Sequence, residues 1–201
     1  MRKTVLLTAF AGALALAGCN DQKTAEAPPL PQEMTAAAIG HYCGMNVLEH
    51  TGPKGQIILA SRKEPVWFSS ARDAISFTML PEEPKDIRAI YVSDMAEAPN
   101  WDKPGTTNWV DAKQASFVIG SRMKGGMGGD EAVPFSDKAA AEKFAAENGG
   151  KVVAFSDVPK DYVLGGTAET TSSVEHGPDV GDGDHTGHAA PAAPQTNHAH
   201  H

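Results

Sequence analysis

Cysteine is almost absent from this chain: there are two in 201 residues, Cys19 and Cys43. A disulfide framework is thereby excluded, and any order must come from a packed core. Aromatic residues are few, at 6%, but 41% of the chain is hydrophobic, enough for an ordinary globular interior. Clusters of Lys and Arg are missing, and 17 basic residues against 25 acidic ones leave a formal net charge of −8. Nucleic acid and anionic lipid surfaces are therefore poor electrostatic partners. No catalytic triad or paired-carboxylate motif is present, and Gly125-Gly126 and Gly128-Gly129 lack the Lys-Ser/Thr that ends a phosphate-binding loop. An enzyme is not expected. An apolar stretch long enough to span a bilayer is also missing, since the run from Val5 to Ala17 is too short for a permanent span.

What that run does is set by its flanks. Arg2 and Lys3 precede it, and Leu16-Ala17-Gly18-Cys19 follows, which is the anatomy of a signal peptide (residues 1–18) ending in a lipobox. Cleavage before Cys19 would make that residue the lipidated N-terminus of an exported protein. Asn20 resembles the residue that lets Gram-negative lipoproteins leave the inner membrane, which implies a periplasm-facing, outer-membrane location, although Asp21 weakens that sorting signal. With Cys19 carrying lipid, Cys43 is a lone thiol in an oxidising compartment. It is then buried and inert, paired with another molecule, or bound to a metal.

Residues 19–38, with Ala27-Pro28-Pro29-Leu30-Pro31, read as a flexible tether. Residues 165–201 are rich in Gly, Ala, Pro, Thr, Asp and His and read as a disordered tail. Its histidines, among them His185, His188, His198, His200 and His201, form an irregular tract of the kind that binds metals weakly.

Residues 39–164, between them, carry an internal duplication. Leu59-Ala60-Ser61-Arg62 aligns with Ile119-Gly120-Ser121-Arg122, and Phe68-Ser69 with Ala74 and Phe77 recurs as Phe135-Ser136 with Ala141 and Phe144. Ile90-Tyr91-Val92-Ser93-Asp94 similarly matches Val153-Ala154-Phe155-Ser156-Asp157. Each half predicts two strands, a helix capped near Ser69 or Ser136, and a third strand. The fold class is thus α+β, with two tandem ββαβ units over about 55–95 and 114–158. Trp67, Phe68, Phe77, Phe135 and Phe144 are expected in the core, together with Met79 and Met95, and Trp101 and Trp109 over it. The second hairpin is longer by the segment Met123-Lys124-Gly125-Gly126-Met127-Gly128-Gly129, a Met-bearing loop suited to function.

Chemistry concentrates just before the first unit, at His41-Tyr42-Cys43-Gly44-Met45. Thiolate and thioether are soft donors, and a bend at Gly44 lets both face one point. Soft donors favour Cu(I), which accepts two or three ligands, whereas Zn(II) usually wants four from Cys, His or carboxylate. Cys43 and Met45 are the expected ligands. Met127, then Met123, is the candidate third, with His50 as a secondary candidate and His41 as a flanking residue. Against this stand ordinary roles, since Met often fills cores and Cys is often buried.

The lipobox, Cys43-Gly44-Met45, the duplicated unit, Met127-Gly128-Gly129, Pro134-Phe135 and the segment from Phe144 to Gly150 together resemble the NosL family, the accessory lipoproteins of nitrous oxide reductase maturation. The resemblance runs from about Tyr42 to Val163. It implies a fold similar to that of organomercurial lyases and a copper chaperone that delivers Cu(I) toward the copper-sulfur centre of nitrous oxide reductase. It implies Cys43 and Met45 as ligands, with the family's loop methionine at Met127. A membrane ATP-binding-cassette complex with a periplasmic copper-handling subunit is the implied partner. Two other readings remain: a tethered interaction protein with an inert Cys43, and a thiol-dependent organometal lyase, which would need more than the one free cysteine.

Overall fold

The computed structural model describes residues 27–165 of the chain. The signal peptide, Cys19 and all the tail histidines lie outside the described residues. Among those described, no helix is long and apolar enough to cross a membrane.

Two three-strand-and-helix segments follow one another. In the first, β1 (Gly55–Leu59) and β2 (Val66–Phe68) form a hairpin, α1 (Ala71–Met79) follows, and β3 (Ile87–Ser93) returns to the other side of β1. β4 (Trp109–Asp111) extends this antiparallel sheet to the order β2-β1-β3-β4. In the second, β5 (Ser116–Ile119) pairs with β6 (Val133–Phe135), α2 (Lys138–Asn148) follows, and β7 (Lys151–Ala154) pairs with the opposite edge of β5, giving the order β6-β5-β7. Short α3 (Lys160–Leu164) closes the described chain at Gly165, whose φ of 68° is the left-handed stop that glycine supplies.

Burial explains why these segments become these elements. Every residue of β1 is buried, as befits a central strand with β-branched side chains packed on both faces. The helix presses close on it: a Cβ on Gly55 would lie 2.5 Å from the Ala74 methyl. Ile57, Phe68, Ile75, Phe77 and Val92 then join Phe117, Ile119, Val158 and Val163 in one apolar cluster, so the two segments share a core. A smaller cluster of Val118, Val133, Phe135 and Ala141 is covered by Phe144, Met95 and Trp101, and the Trp101 ring stacks on Phe144 at 14° between planes.

The helices are capped beside the expected serines, by Ser70, which accepts from the Asp73 amide, and by Asp137, which accepts from the Ala139 and Ala140 amides. Two features differ from the sequence expectation. Val153 and Ala154 continue a strand as expected, but Phe155–Asp157 turns into a 3-10 helix. There Ser156 and Asp157 are exposed, whereas Ser93 and Asp94 are buried and Asp94 accepts from the amides of Ala96 and Ser136. Finally, the stretch from Pro29 to Ala38, expected to be tether, is laid on the first sheet. Met34 is only 3% exposed and Ala38 is buried. Gln32 and the buried Gln56 exchange hydrogen bonds of 2.9 Å, and the Tyr91 hydroxyl donates to the Pro29 carbonyl. Proline and alanine leave this segment without regular structure, and the buried Met34 and Ala38 with these hydrogen bonds fix it.

Candidate metal centre

The Cys43 loop is a hook on the free edge of the first sheet. Ile39 pairs with Asn46, the Gly40 amide donates to the Met45 carbonyl at 2.8 Å, and the Gly44 amide donates back to the Gly40 carbonyl at 2.8 Å. Gly44 takes φ +66°, where a side chain would be strained. Gly40 pairs with Trp67 of edge strand β2, and the His41 amide donates to the Trp67 carbonyl at 2.7 Å.

Side chains hold the hook from the other side. His41 Nε2 lies 3.0 Å from Glu83 Oε1, and the Tyr42 hydroxyl donates to the same oxygen at 3.1 Å. Burial, the hydrogen bond and the negative charge of Glu83 together push the Tyr42 phenol well above its ordinary range, so it stays a donor. The His41 ring also meets Phe68 and Phe77 edge-on. His41 thus acts as an anchor.

Beyond the hook, Asn46 caps a single 3-10 turn, Val47–Glu49, and its side chain donates to the Ala36 carbonyl. This turn reverses the chain and returns His50 toward the hook, so that His50 Nε2 lies 3.9 Å from Cys43 Sγ. The thiol is half-buried and unbridged. Its sulfur also occupies the space beside Gly40, where a Cβ would come within 2.5 Å of it. Met45, on the same loop, is 41% exposed. The Cys43 sulfur and the His50 imidazole therefore approach each other, with Met45 on the same short segment.

The Gly-rich insertion arrives from the second sheet. Lys124 and Asp130 pinch its neck through a backbone bridge and an ion pair, which holds the Asp130 carboxyl below the usual range. Gly126 rests directly on His50: a Cβ there would be 2.4 Å from His50 Cβ, and the Gly126 carbonyl lies 3.4 Å from His50 Nδ1. Met127, at the tip, is 55% exposed and borders a groove with Ser70, Arg72 and Asp73. Met123 lines a separate cavity with Met95, Trp101 and Phe144. Of the expected donors, the fold places Cys43, Met45 and His50 on one segment and brings the Met127 loop against His50.

Two buried charges escaped the sequence reading. Glu131, next to the loop, and Lys54, four residues after His50, are each 1% exposed. Charged residues are ordinarily at the surface, and nothing in the local pattern marks these as interior. Glu131 follows the acidic Asp130, and Lys54 sits in the turn-like Gly-Pro-Lys-Gly.

A family model described as NosL matches residues 31–163. The copper-binding lipoprotein NosL of Achromobacter cycloclastes is 44% identical over 165 residues, covering 82% of this chain and 85% of that protein. The protein of the same description from Stutzerimonas stutzeri is 28% identical over 165 residues, with 82% of each chain covered. Among solved structures, the copper chaperone NosL from Shewanella denitrificans superposes with a TM-score of 0.62 at 35% identity, covering 66% of this chain and 98% of that one.

Proposed function

Because this chain belongs to the NosL family, we propose that it is a membrane-tethered lipoprotein that binds one Cu(I) and passes it on without catalysing a reaction. The observation that carries this reading is the placement of a half-buried, unbridged Cys43 in a hook anchored by backbone and by Glu83, with His50 Nε2 at 3.9 Å. Relatives described as a copper-binding lipoprotein and a copper chaperone support the choice of metal. The oxidation state follows from the donors: thiolate and thioether are soft, and Cu(I) is the soft copper ion.

In this reading Cys43 binds as thiolate, its proton displaced by the metal, and Met45 adds a weaker thioether bond. His50 and Met127 are the candidate third donors, and Met123 is the less favoured one, since it lies among Met95, Trp101 and Phe144. An exposed Met45 and Met127 suit exchange, because an ion held by few ligands at the surface can be handed over through a shared intermediate. Cys19 would carry the lipid, and the protein would face the periplasm from the outer membrane. The recipient is the copper-sulfur centre of nitrous oxide reductase, reached through a membrane ATP-binding-cassette complex with a periplasmic copper-handling subunit. The tail histidines would add weak metal binding outside this site.

Anaerobic competition for Cu(I) against a chromophoric chelator tests the site. The protein lacking residues 166–201 is expected to bind one equivalent tightly, and Cys43→Ser is expected to abolish that binding while Met45→Ala weakens it. Equal binding by all three would sink the proposal and leave Cys43 as an inert cysteine.

A further inference from the structure

Glu131 and Lys54 donate to no metal in the site just proposed, yet both lie beneath it. Glu131 Oε1 accepts from Ser70 Oγ at 3.1 Å and from the amides of Arg72 and Ala132, each at 2.9 Å. Its other oxygen, Oε2, is buried without a hydrogen-bond partner and lies against the loop, since a Cβ on Gly125 would come within 2.6 Å of it. Lys54 Nζ donates to the carbonyls of Thr51 at 2.8 Å and Gly52 at 2.6 Å, the two residues after His50. Gly52 faces Gly125 in turn: a Cβ on Gly52 would be 3.6 Å from Gly125 Cα. Burial lowers the Lys54 ammonium, and Glu131 acts on it through space to offset part of that loss.

Stability alone does not explain such a couple. Burying a charged side chain costs solvation that attraction to an opposite charge out of contact does not repay. A neutral amide at position 131 could also accept the three hydrogen bonds made by Oε1. What the two groups fix is the backbone on either side of the loop's seat: Lys54 ties Thr51 and Gly52, just after His50, and Glu131 ties the start of α1 to Ala132 with its Oε2 against Gly125.

We propose that Glu131 and Lys54 are positioning residues for the copper site, two buried groups that together seat the Gly125–Gly129 loop on the His50–Gly52 segment. The proposal rests on the copper reading above, but its first consequence does not need copper. With the couple removed, the loop lifts, the contact between the Gly126 carbonyl and His50 Nδ1 is lost, and the imidazole beside Cys43 is no longer held in place.

The test compares the full chain with Glu131→Gln, Lys54→Met and the double variant, reading thermal midpoint, amide hydrogen exchange at Gly125–Gly129, and Cu(I) competition. Each single variant leaves a lone buried charge or an unmatched partner, so its midpoint falls. The double variant is expected to recover the midpoint while keeping fast loop exchange and about tenfold weaker Cu(I) binding, a typical coupling between neighbouring groups. Wild-type loop exchange in the double variant would overturn the proposal, as would Cu(I) affinity that recovers together with the midpoint. Should a single variant fail to fold, the double variant still decides. If the wild type binds no Cu(I), the copper reading fails, and loop exchange alone then decides the positioning role.

Discussion

Gly40 has no side chain because Cys43 needs the space. A Cβ at that position would fall 2.5 Å from Sγ, with the Met45 carbonyl and a Val47 methyl each 3.6 Å away, so the sulfur is the atom that must move. Gly40→Ala is therefore expected to turn the thiol outward, at a strain of about 1–3 kcal/mol typical of overpacking. Cu(I) affinity should fall and alkylation of Cys43 in the apo protein should accelerate. Unchanged labelling and affinity together would mean that the thiol has no fixed seat. Glu131 gives a second residue-scale prediction, on pH. Burial pushes its carboxyl from an ordinary 4.5 up to about 7, so between those values the folded chain holds a proton that the unfolded chain has lost. Its contribution to stability is thus full below pH 4.5 and declines as the pH rises through about 7, by about 3 kcal/mol in all. Burial lowers Lys54 from 10.5 to about 8, so its contribution runs the other way and recovers between those values. Urea unfolding across this range should show a minimum between about pH 7 and 8. Glu131→Gln should flatten the acid limb and, by removing the charge that supports Lys54, start the alkaline recovery at lower pH. An acid limb that survives in Glu131→Gln would assign it to other groups. Cys43 and Met45 stand out as soft side chains by residue type alone, whereas the burial of Glu131 and Lys54 is not legible, because it is created by a loop and a turn far apart in sequence.

At the scale of elements, the Gly-rich loop matters less for flexibility than for closeness. Gly126 sits where a methyl would overlap His50 Cβ at 2.4 Å and the Thr51 carbonyl at 2.9 Å, and neither can yield without moving backbone. Gly126→Ala is expected to lift the loop from His50, weakening Cu(I) binding and shifting the His50 ring resonances, with little change in the circular dichroism of the sheets. Unshifted His50 resonances would show that the loop does not rest on the ring. The start of α1 offers a stability counterpart. Ser70 caps the Asp73 amide and also donates to Glu131, so Ser70→Ala removes a cap and leaves the buried carboxylate with one donor fewer. A loss of about 1–2 kcal/mol in a denaturant titration is expected, and a loss under a few tenths would show that the Arg72 and Ala132 amides suffice. Both helices were legible in the sequence because apolar spacing and cap residues are local signals. Ser69-Ser70 and Ser136-Asp137 each present two capable side chains in succession, so the sequence places each cap only to within a residue. Only the turn of the chain shows which one faces the free amides. The 3-10 turn at Phe155–Asp157 is hidden for a related reason: its residues match a strand in the first half, but here the polar ones meet solvent.

At the scale of the whole molecule, the Cys43 hook depends on chain that composition assigns to the tether. Val47 donates its amide to the Ala38 carbonyl, Asn46 donates its side chain to the Ala36 carbonyl, and Met34 donates its amide to the Thr106 carbonyl. Met34, Ala38 and Val47 form a small core beside Trp67 and Trp109. The segment thus braces the hook from behind while Glu83 holds it in front. A protein beginning at Ala27 should therefore differ from one beginning at Ile39. Burying a Met side chain contributes about 1.5–3 kcal/mol. The paired amides of Gln32 and Gln56 add about 1 kcal/mol per hydrogen bond, so the longer form should be more stable by about 3–5 kcal/mol. That is a large fraction of the 5–15 kcal/mol typical of a domain, and urea midpoints will resolve it. Cu(I) affinity should fall in the shorter form as well, because Ala38 and Ala36 supply the acceptors that orient Asn46 and Val47, and these set the turn that returns His50 to Cys43. If the two forms match in both stability and affinity, the hook is rigid without its brace, and the fixed geometry of Cys43 and His50 must come from Glu83 and β2 alone.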